Sequence, residues 1–132
     1  MKNIIRSQKN VVLCLIAIGG LAIATAPIIS AIEAKPKYTT KEVMKALHKG
    51  DINVAKRVLK GQGTKADFAK LVEYYQSLPL NAPPRGDKAS WDAKTVALLS
   101  AAKSLNAGDP NGLNAFKQAV NCKACHSVHK PE

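Results

Sequence analysis

Aromatic side chains are scarce: two Phe, one Trp and three Tyr among 132 residues, 5% of the chain. With so few of these strand-favouring residues, the composition points away from a β-sandwich or barrel. Cysteine is also rare, with three in all, which is too few for a disulfide scaffold. Acidic residues number nine against 20 Lys and Arg, a formal charge of +11. A hydrophobic fraction of 46% excludes a disordered chain. What is plentiful is the set of good helix formers, above all Ala, Leu and Lys. The length allows one domain and little else.

The charge is not uniform along the chain. Lys2, Arg6 and Lys9 precede an uncharged run at 11–32. A basic head before an apolar stretch is the pattern of a secretory signal. The run is also long enough to span a bilayer as a helix, which takes about 20 apolar residues. Cleavage after Ala24, Ala31 or Ala34 is open, and none of these is a clean small-x-small site. Cys14 is not a lipoprotein cysteine, because Leu13 precedes it and the apolar run continues beyond it. The expected organisation is a signal peptide or membrane anchor over 1–34 and one domain over 35–132. That domain is expected in the periplasm, free or anchored by 11–32. Taking away three basic and one acidic residue from the totals leaves it 17 and 8, a net +9.

Periodicity predicts four helices in that domain. Thr39 with Glu42 is a capping box that opens the first. Val43, Leu47, Val54 and Val58 then fall on one half of a helical wheel, and Lys45, Lys49, Lys56 and Lys60 on the other. Gly50-Asp51 interrupts this pattern, with Asp51 the expected cap of a second piece. Gly61 and Gly63 end it, and Thr64 with Asp67 opens the next helix, which Pro79 stops. Residues 80–88 hold Pro83, Pro84 and Gly86 and read as a loop. A third helix is expected over 90–106, with Trp91, Thr95, Leu98, Ala102 and Leu105 as its apolar stripe. Asp109-Pro110 opens the fourth as cap and first position. Four amphipathic helices with short connections make an all-α antiparallel four-helix bundle. Fewer than 100 residues is thin for a self-sufficient core, which leaves room for something else to fill it.

The chemistry lies in Cys122-Lys123-Ala124-Cys125-His126. C-x-x-C-H is the attachment sequence of c-type haem. Positions i, i+3 and i+4 of a helix share one face, so Cys122 and Cys125 reach the two vinyl groups of one porphyrin and His126 stands under the iron as axial ligand. The rival readings are weaker. A thioredoxin-like dithiol needs a βαβ setting. A structural zinc site needs four ligands, and only His129 offers a third. A plain disulfide between Cys122 and Cys125 is the blandest reading.

The chain resembles the class II c-type cytochromes, the family of cytochrome c prime and its low-spin relatives, over roughly residues 38–130. The carriers are the stretch Glu42-Val43-Met44-Lys45-Ala46-Leu47, Ser90-Trp91 after a Pro-rich loop, and the terminal C-x-x-C-H. Three departures stand out: Lys130 where the family usually has arginine, His129 where phenylalanine is common, and Gly50-Asp51 inside a usually continuous helix. The resemblance implies a four-helix bundle with one covalently attached haem c near the C-terminus. It also implies a role set by the sixth iron ligand. Low-spin members use a methionine early in helix one and carry electrons. Cytochrome c prime has an apolar residue there and an open site for NO or CO. Met44 stands at the methionine position and is the only Met outside the leader. A Met on an apolar stripe also serves as core. His48, one turn on, is a second candidate ligand, or a hydrogen-bonded edge residue.

The expectation is therefore a monohaem electron carrier, not an enzyme. Cys122 and Cys125 hold the haem, His126 is the proximal ligand and Met44 the distal one. The alternative is a gas-binding haem protein with an open distal site. Trp91 reads as core or a haem-edge contact, and Tyr74 and Tyr75 as ordinary helix-face residues. The positive surface suits acidic redox partners. A homodimer is open, membrane contact depends on the leader, and no nucleic-acid motif is present.

Overall fold

The computed structural model describes residues 34–131. The expected signal or anchor therefore lies outside the described residues, except for Ala34. Among the described residues there are six helices and no strand, and no helix is long and apolar enough to cross a membrane.

The first expected helix is two. α1 spans Thr40–Leu47 and opens with the predicted capping box: the Thr39 amide donates to Glu42 Oε2 at 2.8 Å, and the Glu42 amide donates to Thr39 Oγ1 at 3.3 Å. Gly50 then turns the chain at φ +91°, a conformation that side chains resist. α2 spans Val54–Leu59. Its cap is Asn53, not Asp51 as expected, and Asp51 is exposed. Asn53 Oδ1 accepts from the Lys56 amide at 2.9 Å, while its Nδ2 donates to the carbonyls of His48 and Gly50 at 3.0 and 2.8 Å. One buried amide thus satisfies both sides of the break, which a carboxylate with no donor cannot do.

α3 spans Lys65–Tyr75 and carries the Thr64–Asp67 box. Asp67 also pairs with Arg57 of α2, and that guanidinium, with the Thr64 amide, holds its carboxyl down at about 2. α4, Lys88–Ala107, begins two residues before the expected Ser90, because Asp87 Oδ1 accepts from the Ser90 amide at 2.8 Å. Gly108 closes it in the left-handed region at φ +77°.

The last expected helix is also two. Asp109-Pro110 forms a turn ahead of the helix, with Asp109 Oδ1 accepting from the Asn111 amide. α5 runs Gly112–Ala119, and Gly112 lies so close to α4 that an added Cβ would stand 2.8 Å from the Leu105 nitrogen. The chain bends at Val120-Asn121, and α6, Cys122–His129, starts on a new axis with Asn121 Oδ1 accepting from the Ala124 amide at 3.0 Å. The C-x-x-C-H sequence therefore opens its own helix.

α4 is the central element, packing most extensively on α5 and α3. The core gathers Val43, Leu47, Leu71, Tyr75, Trp91 and Phe116 among others, each 2% exposed or less. Trp91, Thr95, Ala102 and Leu105 of the predicted stripe are buried. Leu98, the fifth, is only half-buried because it faces a cavity. α6 packs on α4 and makes no helix contact with α1, and that same cavity has walls from both.

Candidate functional site

The cavity has a volume of about 560 Å³, within the range of about 300–1,000 Å³ typical of cofactor pockets. Cys122, Cys125 and His126 line it from α6, and Met44 and His48 from α1 and its cap. Leu59, Leu78, Trp91, Leu98, Ala119 and Val120 give it largely apolar walls. All four predicted site residues thus meet at one cavity, with the second distal candidate beside them.

Both cysteines are free; Cys122 is exposed and Cys125 half-buried. Burial pushes the Cys125 thiol above its ordinary value, and the Lys94 ammonium only partly offsets this. That is the reverse of the lowered pKa of a reactive dithiol. His126 is exposed on the cavity side of α6.

Met44 is half-buried, packed against the core and lining the cavity. His48 is more constrained. Its Nε2 hydrogen-bonds Tyr75 Oη at 2.9 Å, and its ring lies 5.9 Å from that of Tyr75, at 28°. Burial pushes His48 down to about 4, and the nearby His126 adds a smaller push, so it is a neutral imidazole at physiological pH. Tyr75 is fully buried, and burial raises its phenol well above the ordinary range.

His129, the third ligand of the zinc alternative, is only 2% exposed, with both ring nitrogens engaged. Nδ1 donates to the Arg85 carbonyl at 2.8 Å, and Nε2 pairs with Ser90 Oγ at 3.1 Å. Neither nitrogen is left for a metal at the cysteine pair. The Arg85 side chain in turn donates to the carbonyls of Val128 and Ser127 at the end of α6. The loop before α4 thereby grips the C-terminus of the helix that carries the motif. Lys94 Nζ donates to Ser90 Oγ at 2.7 Å from the cavity wall. Trp91, another wall residue, donates its indole N–H to the Leu78 carbonyl at 3.0 Å.

Sequence reasoning missed Tyr75, Asn53 and Arg85. Tyr75 has a signal, since it shares a helical stripe with Phe68, Leu71 and Leu78 and so faces inward. The other two act through backbone carbonyls of distant or turn residues, which leave no spacing to read. Among the described residues no group of three His, Cys, Asp or Glu side chains is placed to hold a metal ion by itself. No family model matches the chain, and neither a curated protein nor a solved structure does.

Proposed function

We propose that the chain is a monohaem c-type cytochrome of the class II kind, carrying electrons outside the cytoplasmic membrane. The observation that carries this reading is the meeting of Cys122, Cys125 and His126 with Met44 at a single apolar cavity of cofactor size. The donor set fits the group. A porphyrin brings four nitrogens of its own, so the protein needs only two axial ligands and two thiols, and no three-sided cluster. In the same reading α1–α2, α3, α4 and α5–α6 are the four arms of an antiparallel bundle.

A haem bound here supplies a one-electron iron couple. The chain does the rest. Cys122 and Cys125 would tether the ring by thioethers, and His126 would hold the iron from α6. Met44 would be the second protein ligand, and its thioether would raise the potential of the iron couple. The walls of Leu59, Leu98 and Trp91 exclude water and keep the local dielectric low. The lysine-rich surface steers acidic redox proteins towards the molecule. The basic head and apolar run of the leader support export, where such attachment takes place.

The test is the intact mass of the protein expressed with a working haem-attachment system. One haem per chain is expected, lost when both Cys122→Ala and Cys125→Ala are introduced. A chain that emerges haem-free under those conditions overturns the reading.

A further inference from the structure

Two side chains one helical turn apart compete for one position. Met44 and His48 stand at i and i+4, share a face, and both line the cavity. Imidazole and thioether are both good axial ligands for haem iron, and spacing alone does not choose between them. A third residue constrains one of them. The nitrogen that reaches furthest from the His48 backbone, Nε2, is held at 2.9 Å by Tyr75 Oη. Tyr75 itself is immobilised: it is fully buried on α3, with its ring 6.4 Å from that of Phe116. The His48 backbone is pinned as well, its carbonyl accepting from Asn53 Nδ2 at 3.0 Å.

Resting on the haem reading above, we infer that Tyr75 is the ligand-selecting residue of this site: it holds the His48 imidazole in the cavity wall and so leaves the distal position of the iron to Met44. Its role is positioning, since it acts through His48. Without the phenol oxygen, Nε2 is stranded in a largely apolar wall, where an unpaired polar group is costly, and binding the iron becomes its best alternative. The loss of one such hydrogen bond shifts the ligand equilibrium about tenfold towards His48.

The experiment compares absorption spectra and reduction potentials of the haem-loaded wild type, Tyr75→Phe and the double variant Tyr75→Phe/His48→Gln. Wild type is expected to show the far-red sulfur-to-iron band. Tyr75→Phe should lose it while staying low-spin, and its potential should fall, because His/Met ligation is the higher-potential arrangement. The double variant should regain the band. A band unchanged in Tyr75→Phe overturns the role of Tyr75 and leaves the His/Met reading intact. A band lost in Tyr75→Phe and still absent in the double variant also overturns it, because general loosening then explains the loss. A wild type with haem but no far-red band overturns the His/Met reading and this inference together.

Discussion

The His129 ring stands edge-on to the Trp91 indole, with centroids 5.4 Å apart and planes at 75°. This contact joins the helix of the C-x-x-C-H motif to the central helix. His129 adds hydrogen bonds to Arg85 and Ser90 at the same point. The motif helix is short, so a few anchors near its end set where its cysteines and His126 stand. His129→Ala would remove the ring contact and the hydrogen bonds to the Arg85 carbonyl and Ser90 Oγ. A loss of ~2–4 kcal/mol is expected, by the scale of buried large-to-small changes and lost buried hydrogen bonds. Thermal melting of the haem-loaded protein checks this; an unchanged midpoint would mean that α6 is held without its anchor.

Asn53 and Asp51 make a paired test of the break between α1 and α2. Asn53→Ala removes a helix cap and two bonds to carbonyls, for an expected cost of ~1–2 kcal/mol. Asp51→Ala touches an exposed side chain and should fall within about 0.5 kcal/mol of wild type. Urea midpoints measured side by side distinguish the two, and equal losses would return the cap to Asp51.

That pair also shows how far the fold was legible. Local signals read well: both capping boxes, the Gly108 stop and the α4 stripe lie where the sequence places them. Breaks read less well, because a residue that satisfies two sides of a turn has no pattern of its own; Asn53 is the case. Asp109-Pro110 looked like a helix start and is a turn, since Gly112, tight against Leu105, fixes where α5 begins. Cys122, Cys125, His126 and Met44, singled out by motif or by resemblance, all line one cavity. The stripe marks Tyr75 as inward-facing, but its hydrogen bond to His48, 27 positions away, leaves no pattern in the sequence.

The Arg57–Asp67 pair links α2 to α3 and makes stability depend on acidity. The folded Asp67 carboxyl is held at about 2, below its ordinary value of 3.8, so the ionised form favours the fold. Its contribution is complete above about pH 4 and is lost as pH falls through 2. Allowing for solvent screening at the half-exposed Arg57, Asp67→Asn should cost ~1 kcal/mol near neutrality. Urea midpoints of wild type and variant are expected to differ at pH 6 and to converge by about pH 2. A gap that is constant across that range would mean that shape, not charge, is what Asp67 provides.

A cavity of about 560 Å³, walled by Leu59, Trp91 and Leu98 among others, interrupts the packing of the helices. A domain of this size has little core to spare. The haem-free Cys122→Ala/Cys125→Ala variant is therefore expected to retain helical circular dichroism but lose a sharp thermal transition and bind hydrophobic dyes. Native-like cooperative melting in that variant would show that the helices pack well enough alone.

In the proposed function, ligation of the iron by Met44 is what makes the protein a carrier of electrons. Its most direct test is carbon monoxide binding, followed by absorption in the reduced haem-loaded wild type and in Met44→Ala. A low-spin wild type that binds the gas poorly is expected, beside a high-spin variant that takes it up readily. A high-spin wild type that binds carbon monoxide at once would contradict it, return Met44 to the core and assign the cavity to gas binding.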